Sequence, residues 1–152
     1  MKVYEIMKTD VLSIKPEGNV LEALSLLFKK GISGLPVIDA DARLVGMFTE
    51  KDVLSRLLPS YIEKVGKFVY EENPKSTKKK FLDLSNVTVG QVMRKEVVII
   101  KPDTTLCEAA RIMLTQKTRR LPVVEETGKV VGIVARCDVL KALAREAELD
   151  IR

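Results

Sequence analysis

Residues 32–54 read ISGLPVIDADARLVGMFTEKDVL, and residues 118–140 read TRRLPVVEETGKVVGIVARCDVL. Each stretch contains two short apolar runs joined by a polar turn, a pattern that predicts a pair of strands. A charged segment with helical character follows the second run. The second stretch repeats the first at a constant offset of 86 residues. Two copies of one unit indicate a pseudo-twofold molecule with a cleft between its halves.

The repetition extends well upstream of these stretches. Lys2–Leu54 aligns without a gap onto Thr88–Leu140, and 16 of the 53 aligned pairs are identical. Upstream of the strand pair, each copy has a β-rich run (11–14 and 97–100) that ends at Lys-Pro, where proline lacks the N–H that a strand ladder needs. Apolar residues at helical spacing follow in both copies, and Gly31 is placed to end the first of these helices. Each copy therefore predicts the order β-α-β-β-α, an α/β (α+β) fold.

The domain organisation follows from this alignment. We expect the first repeat over residues 1–58, an elaborated linker over 59–87 and the second repeat over 88–152. Within the linker, residues 55–70 are compatible with a helix, and the charged segment 71–80 predicts a solvated loop. The linker region from Ser55 to Val87 has seven Lys or Arg and four Asp or Glu, so it carries +3 of the chain's net charge of +5.

Composition restricts the possible functions. Histidine is absent, which removes the commonest general base and a common metal ligand, so we predict neither a catalytic triad nor a metal site. The two cysteines, Cys107 and Cys137, both lie in the second repeat, which argues against a structural disulfide. No apolar run has the length of a membrane span, and the start MKVYEIMKTD lacks the apolar stretch of a signal peptide. We therefore expect a cytoplasmic protein without membrane association.

A strand ending at Pro, a helix, Leu-Pro-Val, Val-Gly and a final Thr-x-x-Asp-Val-Leu form an ordered set that occurs twice, with Ala135 in place of the Thr in the second copy. This ordered set resembles the cystathionine-β-synthase (CBS) domain, and two copies in tandem resemble a Bateman module. The resemblance implies two repeats packed about a pseudo-twofold axis. It also implies an adenosine-containing ligand, namely AMP, ADP, ATP or S-adenosylmethionine, in the clefts between the repeats.

In the CBS family the Asp at the start of the second helix binds the ribose hydroxyls, and a Thr or Ser three residues earlier contacts ribose or phosphate. By resemblance these positions are Thr49 and Asp52 in the first copy. In the second copy Asp138 matches, but Ala135 replaces the hydroxyl residue. A carboxylate beside the free N–H groups of a helix start suits this chemistry. The same Thr-x-x-Asp spacing also fits a helix cap, and the sequence leaves both interpretations open.

The resemblance further implies that each cleft combines residues of both repeats. Arg119 and Arg120 are candidates for phosphate contacts because guanidinium matches phosphate oxygens, although an exposed basic pair is an alternative. Arg136 lies in the first turn of its helix and could reach the same phosphates. One cleft is expected to contain Asp138, Thr9, Asp10, Val11, Ile32 and Ser33, and the other Thr49, Asp52, Lys95, Glu96, Val97, Thr118 and Arg119.

These features favour a regulatory, non-catalytic module that senses an adenosine ligand without a catalytic cofactor. Apolar helix faces beside small sheets predict a homodimer, and a separate effector protein is a possible partner. The alternative is a nucleic-acid or protein-partner scaffold that uses Lys78–Lys80, but near-neutral repeats and 5% aromatic residues argue against nucleic acid. An enzyme is disfavoured because the sequence offers no nucleophile–base pair.

Overall fold

The computed structural model describes residues 1–57 and 74–149 of the chain. Over these ranges each repeat contains a helix, a pair of strands and a second helix, in the order that the repeat predicts. The helices are α1 (Val20–Lys30), α2 (Glu50–Leu57), α3 (Pro74–Asp83), α4 (Val89–Val92), α5 (Leu106–Thr115) and α6 (Arg136–Glu146), with 3-10 turns at Val3–Glu5 and Leu84–Asn86. The strands are β1 (Gly34–Ile38), β2 (Leu44–Thr49), β3 (Arg120–Val124) and β4 (Val130–Ala135), and they form the two-stranded sheets β1–β2 and β3–β4.

The chain folds into two compact units that do not coincide with the two repeats. Unit 1 comprises Met1–Leu12, Ala40–Leu44 and Glu96–Arg152, and unit 2 comprises Ser13–Asp39 and Val45–Lys95. The segment that begins each repeat thus belongs to the unit that contains the other repeat's helices. The predicted division at residues 58 and 88 describes the sequence repeats and stays a prediction.

In unit 1 the N-terminal segment is tied to the second repeat by backbone hydrogen bonds. The Val3 amide donates to the Thr104 carbonyl at 2.8 Å, and Lys8 and Ile133 exchange bonds of 3.0 and 2.9 Å. Val3 is fully buried in the core formed with α5, α6, β3 and β4. A segment of the first repeat therefore completes the apolar core of the second.

Unit 2 contains the equivalent exchange. The Gly90 amide donates to the Pro16 carbonyl at 2.8 Å, and Arg94 and Met47 exchange two bonds of 2.9 Å. Val89, the repeat equivalent of Val3, is fully buried in the core of α1, α2, β1 and β2. The start of the second repeat completes the core of the first.

Two methionines that recur in the sequence pack against two recurring glycines. A Cβ atom on Gly132 would lie 2.5 Å from the Sδ atom of Met7, and one on Gly46 would lie 2.7 Å from the Sδ atom of Met93. Both of these Cβ–Sδ distances are far shorter than a van der Waals contact. A residue with a Cβ atom at either position would therefore clash with the methionine side chain where it now lies. These glycines lie in the middle of β4 and β2, where close approach is a common reason for glycine.

Each unit has its own apolar core. In unit 1 the strands β3 and β4 pair antiparallel, with Leu121 opposite Val134 and Val123 opposite Gly132. The buried residues that form the apolar cluster of unit 1 are Val3, Ile100, Leu106, Ala109, Met113, Leu121, Val123, Val134, Val139 and Ala142. Those of unit 2 are Val20, Ala23, Leu24, Leu27, Leu35, Val37, Phe48, Val53, Leu84 and Val89.

The first predicted strand of each repeat is wrong in extent. Over 11–14 the extended pairing consists of one parallel bridge between Ile14 and Val37, in which Ile14 N donates to Pro36 O and Ile38 N donates to Ile14 O. The next ladder bonds would require the N–H groups of Pro16 and Pro36, which proline lacks. Two prolines on different segments therefore limit the ladder to one bridge.

The second repeat has the same limit. Ile100 forms one parallel bridge with Val123, and Pro102 and Pro122 occupy the positions that would donate the next bonds. The segment 97–100 is thus a single pairing residue rather than a strand.

The predicted stop of α1 is confirmed. Gly31 lies in the left-handed region with φ of 63°, and its amide donates to carbonyls of the last helical turn. At the other end the Asn19 side chain accepts from the amides of Leu21 and Glu22. No helix of the described ranges is both long enough and apolar enough to serve as a membrane span.

From Pro74 onward the charged segment 71–80 is not the loop that its composition predicts, since Pro74–Asp83 forms the helix α3. Residues 71–73 lie outside the described residues. Proline suits the first helical position because its missing N–H has no partner there, and its fixed φ favours the helix. Most of the segment 55–70, for which a helix was predicted, lies outside the described residues.

Candidate functional site

In unit 2 the end of β2 and the first turn of α2 hold Asp52. Its Oδ2 atom accepts hydrogen bonds from the Thr49 amide and the Thr49 hydroxyl, both at 2.9 Å. Both bonds converge on one carboxylate oxygen, and Asp52 and Thr49 are half-buried. The helix cap that the sequence allows is therefore formed, and it holds the carboxylate in a defined position.

In unit 1 the end of β4 and the first turn of α6 hold Asp138 in the same way. Its Oδ2 atom accepts from the Ala135 amide at 3.1 Å, and Asp138 is half-buried. Alanine has no hydroxyl, so the bond from the backbone amide is formed here without the second bond that the Thr49 hydroxyl makes in unit 2. The repeated aspartate is thus explained by capping alone in both copies, and its recurrence does not separate capping from ligand binding.

The first turn of each helix offers more than the cap. Backbone N–H groups at a helix start lack partners within the helix and carry a partial positive charge. A fixed carboxylate next to them can accept the two hydroxyls of a ribose, while the amides attract an anionic group. This combination suits a nucleoside or nucleotide and requires no catalytic group.

Unit 1 brings four of the predicted site residues together. The Arg136 amide donates to the Arg119 carbonyl at 3.0 Å, and the Arg136 side chain donates through Nε to the Thr118 carbonyl at 2.9 Å. Arg120 pairs with Ala135 at the end of the hairpin. The backbones of three arginines therefore lie at the strand–helix junction that holds Asp138.

Thr118 has a feature that the sequence did not reveal. Its Oγ1 atom is buried and has no hydrogen-bond partner among the described residues. Its backbone is satisfied, since the Thr118 amide donates to Met113 and its carbonyl accepts from Arg136. A buried hydroxyl without a partner is costly, and such groups call for an explanation. The burial of one side-chain atom depends on the packed structure, so no local pattern could have indicated it.

Unit 2 has the same backbone frame with different side chains. The Glu50 amide donates to the Ser33 carbonyl at 3.0 Å, which places Ser33 beside the first turn of α2. A Cβ atom on Gly34 would lie 3.0 Å from the Cγ2 atom of Thr49. Ile32, the repeat equivalent of Thr118, is half-buried and packs against the core of unit 2.

We call residues 2–8 and 88–94 the exchanged segments, since each packs into the core that contains the other repeat's helices. The remaining predicted site residues directly follow these two segments in the sequence. Thr9 and Asp10 are exposed, and Val11 is half-buried, just after the bridge at Lys8 in unit 1. Lys95, exposed, follows the Arg94 bridge in unit 2, whereas the exposed Glu96 and the half-buried Val97 belong to unit 1. The predicted assignment of Ser33 to the cleft of Asp138, and of Thr118 and Arg119 to the cleft of Asp52, stays a prediction.

Two stretches of the chain, residues 3–59 and 89–145, match the CBS domain. The chain belongs to the CBS domain family. The predicted resemblance to a tandem CBS pair is confirmed.

Relatives of this CBS pair include a protein of similar length. Protein MJ1426 of Methanocaldococcus jannaschii is 33% identical over 160 residues, covering 94% of this chain and 91% of its own. Inosine-5'-monophosphate dehydrogenase of the same organism is 31% identical over 140 residues, but only 23% of that enzyme is covered. The relatives thus include a chain of about this size and a larger enzyme of which only a part is similar.

Solved structures share the fold. The CBS pair protein CBSX2 from Arabidopsis thaliana superimposes with a TM-score of 0.77 at 30% identity, covering 97% of this chain and 96% of its own. A structure of CBSX2 in complex with AMP gives a TM-score of 0.73 at 32% identity, with coverage of 96% and 98%. The mixed helix and strand fold predicted for the two repeats is that of CBS pair proteins.

Proposed function

We propose that this CBS pair is a regulatory module that binds an adenosine-containing ligand, with Asp52 and Asp138 accepting the ribose hydroxyls. The main support is the capped, half-buried carboxylate in the first turn of α2 and of α6. CBSX2, similar over nearly the whole chain, forms a complex with AMP. AMP, ADP, ATP and S-adenosylmethionine share the adenosine that this geometry suits.

Calorimetric titration with these four ligands tests the proposal. Asp52→Ala and Asp138→Ala are expected each to remove one class of binding site or to weaken it at least about tenfold, since a lost bond to a charged group costs about 1.5–3 kcal/mol. The exposed Asp103, outside both helix starts, gives a matched control as Asp103→Ala. Unchanged affinity in both aspartate variants, or no adenosine ligand bound by the unmodified protein, would refute the proposal.

The two roles of the aspartates can be separated by a second substitution. Asparagine keeps a side-chain oxygen for the Thr49 or Ala135 amide but removes the negative charge. Asp52→Asn and Asp138→Asn should therefore retain much of the capping stability while losing affinity for the diol. Equal losses of stability and affinity in the Ala variants, with full recovery of both in the Asn variants, would leave capping as the only role.

A homodimer is part of this proposal. Phe28 on α1 is 70% exposed and its repeat equivalent Leu114 on α5 is 73% exposed, while Leu54 and Leu140, also equivalent, are 58% and 67% exposed. Large apolar side chains at equivalent helix positions favour a protein interface over chance exposure. Light scattering should give twice the monomer mass for the unmodified protein and the monomer mass for a variant combining Phe28→Asp and Leu114→Asp. A monomeric unmodified protein would contradict this part.

The proposed module is not an enzyme and signals through a separate effector protein. The complete lack of histidine supports this, as does the absence of any group of His, Cys, Asp and Glu suited to a metal among the residues the structure describes. The exposed, unpaired Cys107 and Cys137 fit a reducing compartment such as the cytoplasm. Mass spectrometry of bound nucleotide before and after incubation should detect no product; turnover would overturn the assignment.

A further inference from the structure

We propose that one face of α3 is a docking surface for an acidic, amphipathic helical segment of a partner protein, an inference that extends the proposed function to its effector. The face consists of Lys78, Lys79, Phe81 and Leu82, and we call it the Lys78 face. It lies in unit 2, on a helix other than those whose first turns hold the repeated aspartates. Docking at this face requires no bound adenosine ligand.

The four residues share one side of the helix and lie in two adjacent turns. At about 100° per residue, Lys78 is a neighbour of both Phe81 and Leu82, three and four positions later. Lys79 is likewise a neighbour of Leu82. All four of these residues are exposed, whereas Lys80, on the other side of the helix, is half-buried. Two ammonium groups therefore lie one turn before two apolar side chains on the same exposed face.

The apolar part of this face is larger than a single exposed residue. Leu82 is 57% exposed and the preceding Phe81 is 37% exposed, so two adjacent large side chains at the end of α3 keep contact with water. Leu84, two positions later, is buried in the core of unit 2 and attaches this part of the chain to its own fold. The surface of Leu82 and part of Phe81 remain available to another molecule.

The end of α3 is connected to α1 by hydrogen bonds. The Ser85 Oγ atom donates to the Leu82 carbonyl at 2.6 Å. The Asn19 side chain, which also caps α1, donates to the Ser85 carbonyl. In addition, α3 packs against α2. The Lys78 face is therefore held in one position before a partner binds, which reduces the entropy that docking costs.

Charge complementarity specifies an anionic partner. The helix α3 contains four lysines and one aspartate, which gives it a charge of +3 in a chain whose net charge is +5. Within residues 1–57 and 74–149, neither Lys78 nor Lys79 forms an ion pair. Both ammonium groups are thus available for carboxylates of a partner, and such pairs steer association and fix the register of an interface.

The combination of charge and apolar surface favours a protein helix over nucleic acid or a membrane. An acidic amphipathic helix can place apolar side chains against Phe81 and Leu82 and carboxylates against the two lysines. Nucleic acid offers phosphates to lysines, but its bases stack on aromatic platforms, and a leucine is no such platform. A helix that binds a bilayer buries a continuous apolar face, whereas the apolar part of the Lys78 face is confined to one turn.

Fluorescence anisotropy with a defined peptide tests the docking. The probe is a labelled helical peptide of about 15 residues, with Leu at positions i, i+3, i+4 and i+7 and Glu on both sides of this stripe. The full chain without nucleotide should bind it at least about tenfold more tightly than the same peptide with Lys in place of Glu, or than an oligoglutamate of equal length. The affinity should fall as salt is raised. Equal affinity for the three peptides, or no binding of the first, would refute the proposal.

Matched variants locate the peptide on α3. The pair Lys78→Gln and Lys79→Gln should weaken peptide binding about five- to tenfold because two ion pairs are lost, and Leu82→Ser should weaken it about three- to tenfold. The pair Lys29→Gln and Lys30→Gln, exposed in the last turn of α1, changes the net charge equally and should leave the affinity unchanged. Circular dichroism verifies that the variants fold. Equal effects of the two lysine pairs would mean that net charge alone attracts the peptide, and the proposal would fail.

Other occupants of the Lys78 face are tested with the same lysine pair. Phosphatidylserine vesicles represent a membrane, a single-stranded oligonucleotide represents nucleic acid, and light scattering detects a second copy of the chain. If Lys78→Gln and Lys79→Gln reduce binding of vesicles or oligonucleotide more than binding of the peptide, or lower the molecular mass, the face serves that occupant and the proposal is refuted. Because no nucleotide is present, a failure here leaves adenosine binding unaffected, and a lack of adenosine binding leaves this docking unaffected.

Discussion

Units 1 and 2 have nearly the same backbone arrangement and different surfaces at their helix starts. In each, a methionine of an exchanged segment packs against a mid-strand glycine, and a parallel bridge is confined by two prolines. These features persist because the methionines, glycines and prolines that produce them recur in both repeats, whereas the side chains at the helix starts differ. The contrast between Arg136 and Glu50 lies on this shared frame, which makes each unit a control for the other.

The largest expected effect tests which core receives each exchanged segment. Val3→Asp places an unpaired charge in a fully buried position of unit 1, and we expect a loss of more than about 4 kcal/mol in unfolding free energy. Hydrogen exchange should rise in α5 and α6 more than in α1. The equivalent change, Val89→Asp, should raise exchange in α1 and α2 instead. If protection against hydrogen exchange were lost in the repeat that carries the mutation, this assignment of the two segments to the cores would be contradicted.

The second test compares the two glycines. A Cβ on Gly46 would lie 2.8 Å from the carbonyl oxygen of Arg94, whereas a Cβ on Gly132 would meet only atoms of the Met7 side chain as its nearest neighbours. Because a side chain moves more easily than backbone, Gly46→Ala should cost about 3 kcal/mol in urea unfolding and Gly132→Ala about 1–2 kcal/mol. Met7→Ala should partly rescue Gly132→Ala, and Met93→Ala should rescue Gly46→Ala less. A larger loss of stability for Gly132→Ala than for Gly46→Ala would show that unit 2 accommodates the added methyl group more easily than unit 1.

The third test compares the two caps. Asp52 accepts two hydrogen bonds from Thr49, and Asp138 accepts one from Ala135. Without ligand, Asp52→Ala should lower the unfolding free energy by about 1–2 kcal/mol and Asp138→Ala by about 1 kcal/mol or less. Thr49→Ala should make the first cap resemble the second. Identical losses in the two aspartate variants would indicate that the Thr49 hydroxyl contributes nothing.

The smallest expected effect concerns the ends of α1 and α5. Gly31 has φ of 63°, and its repeat equivalent Lys117 has φ of 53°, a conformation that costs a side chain energy. Lys117→Gly should therefore stabilise the protein by about 0.5–1 kcal/mol, and Gly31→Ala should destabilise it by about 1 kcal/mol. Thermal unfolding measures both. A destabilising Lys117→Gly would mean that the lysine side chain stabilises this turn through other interactions.

The elements that the sequence predicted correctly are those with local causes. The amphipathic pattern of α1 and its stop at Gly31 depend on neighbouring residues, and so do the hairpins before Thr49 and Ala135. The shortened first strands depend on Pro36 and Pro122, which lie on other segments and become relevant only when the pairing register is known. Local patterns cannot supply that register.

The sequence could not predict that each of the exchanged segments packs into the core of the other repeat, because the two repeats are so similar. Val3 and Val89 are identical residues in equivalent positions, so either fits either core and the sequence pattern is satisfied both ways. At the site, the aspartates and arginines were identified by their residue types. Their grouping by unit, the half cap of Asp138 and the buried Thr118 hydroxyl depend on packing that no short motif records.

The bridge between Lys8 and Ile133 has a consequence for synthesis on the ribosome. The early segment that contains Val3 and Lys8 has its partners in a much later part of the chain, and the ribosome adds roughly 5–20 residues per second. Val3 and Met7 therefore remain exposed for roughly ten seconds while unit 2 can already assemble from residues translated earlier. This early segment of the nascent chain, rather than the finished fold, is then the part that a chaperone would have most need to protect.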